Sequence, residues 1–161
     1  KRGASGSPGE LRGDFDLTRD LGLLYANTEC GIFGVLPQEN RPEAVGEAIP
    51  VARRTEVRTG KAVILANCRG DEVCAYEIEI EKLYGGSAPT RNLLLRVTDP
   101  ALIALTGGIV QGMSGSPIVQ DGKLVGAVTH VLLDDPQRGY GILAENMLSA
   151  SGMTAQSAAS A

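Results

Sequence analysis

Tryptophan is absent from this 161-residue sequence, and phenylalanine occurs only twice. With so few rings the core has to rest on Val, Ile, Leu and Ala. Histidine occurs once, at His130, which excludes a His-rich metal site, and the three cysteines fit no common zinc spacing. No run of about 18 apolar residues is present, so this segment does not span a membrane. No Lys/Arg cluster exceeds two adjacent residues and the net charge is −4, which excludes the basic stripe that nucleic acid requires. There is no signal peptide pattern and no initiator Met. Because the sequence opens at Lys1-Arg2-Gly3, a processed product or an excised fragment is expected.

What is present points to one β-rich domain. The length suits a single core, and 43% of residues are apolar. Short Val/Ile/Leu runs are broken by 21 Gly and 8 Pro, the composition of strands joined by tight turns. Residues 1–20 read as a loop or frayed end. Strands are expected at 23–26, 31–36, 49–52, 61–68, 72–83, 92–97, 117–120, 124–131 and 140–143. In 72–83, Cys74, Tyr76, Ile78 and Ile80 face one way while Val73, Ala75, Glu77 and Glu79 face the other, the mark of a strand with one wet face. Asp99-Pro100 is a good cap for a helical turn over 101–105, ended by Gly107-Gly108. Asp121-Gly122 signals a hairpin. A short helix closes the domain at 144–150, and the Ser/Ala-rich tail 151–161 is expected to be disordered. Cys68 and Cys74 flank a hairpin tip and read either as a cross-strand disulfide or, like Cys30, as small buried hydrophobes.

The stretch richest in chemistry is Gly112-Met113-Ser114-Gly115-Ser116-Pro117. A nucleophilic Ser needs an exposed hydroxyl, a base within reach, and backbone N–H groups facing the developing oxyanion. Gly112 and Gly115 bracket Ser114 with residues that tolerate unusual backbone angles and let a substrate approach. The N–H groups of Gly112 and Ser114 are the natural oxyanion donors. An ordinary Gly/Ser-rich β-turn is the plain alternative for such a run.

The run from Ser114 to Val119, a Gly turn, and then Leu124 to Thr129 resembles the second barrel of chymotrypsin-like peptidases. The match narrows with Gly107 to Ile118, Gly126-Ala127-Val128-Thr129-His130-Val131 and Tyr140-Gly141, which look like the stage IV sporulation protein B peptidase family. Further resemblance lies in Tyr25, Gly31-Ile32-Phe33-Gly34, Glu77-Ile78-Glu79-Ile80, Val97-Thr98-Asp99 and the opening segment, so it covers residues 1 to about 150.

The resemblance implies a mainly all-β chymotrypsin-like double β-barrel, with residues 1–150 its C-terminal part, the second barrel complete and the first truncated. It implies a serine endopeptidase without cofactor or metal, exported to the space between mother cell and forespore. Its expected substrate is a protein or peptide, a membrane-bound regulator whose cleavage releases a late sporulation sigma factor. Any membrane attachment would come through an anchor absent from this chain, and no nucleic-acid partner is expected.

The family's catalytic His belongs to a Gly-His motif upstream of the position where this chain begins, so the chain as written is expected to lack its base. His130 has three readings: a substitute base, a lining of the substrate edge, or a packed strand residue. Asp99 is the acid by family position and an ideal helix N-cap by local chemistry. Thr129 matches a hydroxyl that supports the acid, or is an ordinary strand Thr. Glu29-Cys30-Gly31 resembles the start of N-terminal-Cys amidotransferases, but the needed free Cys amine and later motifs are missing. The remaining alternative is a catalytically incomplete peptide-binding or scaffold domain.

Overall fold

Short aliphatic runs broken by turn residues mark the sequence, and strands dominate the structure. The computed structural model describes residues 2–13, 16–43, 46–70, 72–85 and 89–152. Among these, eight strands form: β1 (Leu23–Thr28), β2 (Gly31–Val35), β3 (Gly60–Arg69), β4 (Glu72–Leu83), β5 (Leu93–Val97), β6 (Pro117–Gln120), β7 (Lys123–Val131) and β8 (Arg138–Leu143). Two short helices accompany them, α1 (Pro100–Thr106) and α2 (Ala144–Ala150).

Strands β3 to β8 close into an antiparallel barrel in the order β3-β4-β5-β8-β7-β6, while β1 and β2 pair in a separate hairpin. The barrel fulfils the expected second barrel. In β4, Tyr76, Ile78 and Ile80 are buried and Val73, Ala75 and Glu77 are exposed. The alternation slips between Ile80 and Lys82, where the register with β5 shifts. Ile64, Ile78, Ile80, Leu93, Leu95 and Ile118 are each at most 1% exposed and fill the interior; each such side chain contributes roughly 1.5–3 kcal/mol by leaving water. Gly126 is required by a close approach, since a Cβ there would stand 2.1 Å from the Ile142 carbonyl oxygen.

Turn chemistry sets the register. Asp121 (φ 51) and Gly122 (φ 74) both take the left-handed region, as a two-residue hairpin between twisted strands demands. Helix α1 begins as its sequence directs: Asp99 accepts from the N–H groups of Ala101 and Leu102, and Pro100 opens the first turn. Gly107, at φ 83, ends it.

Three expectations change. The strand at 49–52 shrinks to one bridge, Val51 to Leu124, because Pro50 has no N–H to donate and the chain turns into a 3-10 helix at Arg54–Glu56. The opening segment is tied down rather than frayed, through bonds to Thr106, Gln111 and Leu133. Of the expected disordered tail, Ser151 and Gly152 form a turn and residues 153–161 lie outside the described residues. Cys30, Cys68 and Cys74 are free thiols. Cys68 and Cys74 pack against the core, and burial pushes the Cys68 thiol up, the condition of an inert core cysteine.

Candidate active site

The turn that carries Ser114 hangs between α1 and β6, with one side chain in and the next out. Met113 is 1% exposed, its N–H donates to the Val110 carbonyl (3.1 Å), and its Sδ accepts from the Val110 N–H (3.4 Å). Burying Met113 in the core turns Ser114 outward, where it is exposed. Gly112 (φ 96) and Gly115 (φ 91) supply the left-handed backbone on either side, a conformation that costs a residue with a Cβ about 1 kcal/mol or more. A Cβ at Gly115 would meet nothing within 4 Å, so the approach there is open.

The N–H groups of the turn divide into two sets. Gly115 donates to Val128 (2.8 Å) and Ser116 to Met113 (3.0 Å). Among the described residues, the Gly112 and Ser114 N–H groups make no hydrogen bond. Within residues 112–116 the turn thus uses the N–H groups of Met113, Gly115 and Ser116 on itself and on β7.

Strand β7 frames the turn. It pairs with β6 through Ala127 and with β8 through Val131. At Val128 its β6 side bonds to the turn instead, donating to the Ser116 carbonyl (3.0 Å) and accepting from the Gly115 N–H (2.8 Å); beyond that, among the described residues, it pairs only with β8. Between Val128 and His130 the register with β8 shifts, leaving Thr129 as the extra residue of a bulge. A bulge re-aims backbone groups, and here the Thr129 carbonyl accepts from the Ser114 hydroxyl at 2.9 Å. The Thr129 hydroxyl turns to the other side and donates to the carbonyls of Tyr140 (3.1 Å) and Thr90 (3.3 Å). His130 is exposed, and its ring makes no hydrogen bond among the described residues. Ser114 is thus bonded to a carbonyl, which cannot take its proton.

Asp99 stands elsewhere in the barrel. One carboxylate oxygen accepts from Ala101 (2.8 Å) and Leu102 (3.0 Å), and the other from the Glu77 N–H (3.2 Å). Partial burial pushes this carboxyl up, but the N–H groups of Leu102, Glu77 and Ala101 outweigh it and hold it below the usual carboxylate range. Through Glu77 it is tied to β4, three strands from β7 by either route around the ring. Ser114, Gly112, Thr129 and His130 are therefore gathered at one corner, whereas Asp99 is fastened to α1 and β4.

A cleft of about 400 Å3 reaches the turn at Gly115 and runs over Pro117, Gly126 and Ala127 toward Phe33 and Met147. It lies between the barrel, the β1–β2 hairpin and α2, and its walls are mainly apolar. Among the described residues, no helix is long and apolar enough to cross a membrane.

Residues 1–148 match the family described as SpoIVB peptidase S55. The chain belongs to that peptidase family. The family match spans both the opening segment and the Ser114 turn. The fold is similar to that of the Rv3671c protease from M. tuberculosis in its active form, at 21% identity and a TM-score of 0.54. That alignment covers 83% of this chain and 59% of the Rv3671c chain. The inactive form of the Rv3671c protease aligns at 20% identity and a TM-score of 0.52, covering 81% and 67% of the two chains. No curated protein matches significantly.

Two features of this S55 site escape a reading of local motifs. Met113 reads as the unspecified residue of a Gly-x-Ser motif, although burial makes it the anchor of the turn. The contact between residues 9–11 and Gln111 is long-range, and no spacing announces it.

Proposed function

We propose that this chain carries the nucleophile of a serine endopeptidase, with Ser114 forming an acyl-enzyme. The observation behind this reading is the turn itself: an exposed hydroxyl between two left-handed glycines, with the Gly112 and Ser114 N–H groups making no hydrogen bond among the described residues. In the proposed reaction the Ser114 Oγ attacks the peptide carbonyl, and its proton passes to a base. The carbonyl oxygen gathers negative charge against the N–H groups of Gly112 and Ser114. The amine then leaves with a proton from the protonated base, and water resolves the ester.

The base in this reading is a histidine outside these 161 residues. Its arrival would draw the Ser114 hydroxyl from the Thr129 carbonyl, a rotation about one side-chain bond. Substrate would lie extended along the β6-facing edge of β7 beyond Thr129, where strand pairing among the described residues lies only on the β8 side, adding a strand as peptides do at open sheet edges. His130 then lines the substrate edge, and Thr129 shapes the bulge. Asp99 is read as the cap that holds α1, its carboxylate being spent on three N–H groups. Membership of the SpoIVB family supports a protein substrate, a membrane-bound regulator in sporulation signalling, and an extracytoplasmic setting.

Treating the full-length protein with a fluorophosphonate tests the reading. Labelling of the wild type that vanishes in Ser114→Ala is expected; a folded, full-length protein that never labels overturns it. The hydrogen bond from Ser114 to a carbonyl favours a second reading, a peptide-binding domain without catalysis. That reading predicts peptide binding, measured by calorimetry, in a protein that does not label.

A further inference from the structure

The opening segment runs beside the nucleophile turn and holds it by the backbone. Gly9 and Leu11 straddle Gln111: the Gln111 N–H donates to the Gly9 carbonyl (2.8 Å), and the Leu11 N–H donates to the Gln111 carbonyl (2.8 Å). This is a one-residue parallel bridge between Glu10 and Gln111. A peptide unit is planar and trans, so its C=O and N–H point in opposite directions. The carbonyl of the Gln111–Gly112 unit is pinned toward the segment, and the N–H of that unit is the Gly112 donor. That N–H must therefore point away from the segment. Without the Leu11 bond, a rotation of the unit about its flanking bonds would carry the Gly112 N–H out of position, and Gly112 has the backbone freedom to allow it.

The rest of the segment is fastened to the same corner. Gly3 donates to the Thr106 carbonyl (2.7 Å) and Gly6 to the Leu133 carbonyl (2.7 Å). The Ser5 hydroxyl donates to the Asp134 carbonyl (2.9 Å). Thr106 ends α1, where the chain departs toward the turn, and Leu133–Asp134 follow β7. The fit leaves no room for side chains: a Cβ on Gly107 would stand 2.4 Å from the Gly3 carbonyl oxygen, and one on Gly3 2.8 Å from the Gly9 nitrogen. Leu11 itself packs on the core, and a Cβ on Gly112 would meet the Leu11 Cβ at 3.0 Å.

We propose that residues 3–11 are a positioning strap for the oxyanion site, and that the Leu11 N–H sets which way the Gly112 N–H points. The strap works through the backbone and touches no reacting atom. This inference rests on the serine peptidase reading for its catalytic consequence, but not for its structural one.

The Gln111–Gly112 peptide can be watched directly, because Gln-Gly occurs once in this sequence. Carbonyl-13C glutamine and 15N glycine, incorporated together into the full-length protein, mark that unit with a single correlated NMR peak from this segment. Leu11→Pro removes the donor. The expected result is a peak that moves or splits while other glycine amides stay in place. Because one oxyanion donor is worth roughly 100- to 1000-fold in kcat, kcat and the fluorophosphonate labelling rate should fall about 10-fold or more. KM should hold, since the donor acts on the transition state. Should Leu11→Pro fail to fold, Gly3→Ala loosens the strap at its far end and should move the same peak by less. A peak unchanged in whichever variant folds overturns the proposal, and a moved peak with unchanged kcat overturns its positioning role. A moved peak in a protein whose Ser114 never labels overturns the peptidase reading and leaves the strap's hold on the peptide demonstrated.

Discussion

The barrel and the β1–β2 hairpin are made of similar aliphatic residues with opposite outcomes. In the barrel, Ile80, Leu93 and Leu95 are 0% exposed; in the hairpin, Leu23, Ile32 and Val35 are 75%, 65% and 60% exposed. The cause is topology rather than composition. A closed ring gives each strand two neighbours and an interior, whereas two strands cannot bury a face by themselves. Stability therefore resides in the barrel. The Ser114 turn borrows it by rooting Met113 in the barrel core while presenting Ser114 outside.

The largest effect separates chemistry from stability within the barrel. Ser114→Ala should cost about 10^6-fold in kcat, as loss of a nucleophile does elsewhere, yet leave the urea midpoint in place. A shifted midpoint would show that the turn is part of the core after all. Next comes packing. Ile80→Ala should destabilise by about 2–5 kcal/mol in urea unfolding, while Ile32→Ala should stay within about 0.5 kcal/mol. Equal losses at the two sites would erase the contrast between barrel and hairpin.

Asp99 comes third. Replacing an N-cap carboxylate by alanine costs about 1 kcal/mol, and Asp99→Asn should recover most of it. Its carboxyl is held below its ordinary value of 3.8 in the folded protein, so the unfolded chain takes up the proton first. The stabilisation is complete above that ordinary value and is lost as pH falls through the lower folded value. An acid titration followed by circular dichroism should show wild type and Asp99→Asn converging there. An Asp99→Asn protein that is stable but catalytically dead would instead return Asp99 to the catalytic machinery.

The smallest effect lies on the barrel's outer face. Glu81 bridges Arg96 and Arg138 across β4, β5 and β8, with both guanidinium groups partly exposed. Glu81→Gln should cost at most about 1 kcal/mol, less in high salt.

Much of this architecture could be read in the sequence because its determinants are local. The alternation in β4, the Asp-Gly hairpin, the Asp99-Pro100 cap and the two glycines around Ser114 each act within a few residues. The 49–52 segment misled because an apolar run says nothing about a proline's missing donor. What escaped was long-range. Nothing near Leu11 points to Gln111, and nothing near Asp99 reveals that Glu77 claims its second oxygen. The bulge at Thr129 was equally hidden, since it arises from the mismatch between β7 and β8.

Barrel closure also dates the site within the life of the chain. The ring is sealed where β3 meets β6, by Val63 with Val119 and Ile64 with Ile118, partners far apart in sequence and therefore slow to find one another. The Ser114 turn directly precedes β6, and its bonds to Thr129 and Val128 need β7 in place. A chain emerging from synthesis shows β3, β4 and β5 well before it has the strands that complete the corner. Until β6 and β7 are in place, the turn lacks the Val128 and Thr129 partners that hold it in the folded protein. Late sealing thus makes the corner around Ser114 one of the last parts of the fold to be assembled.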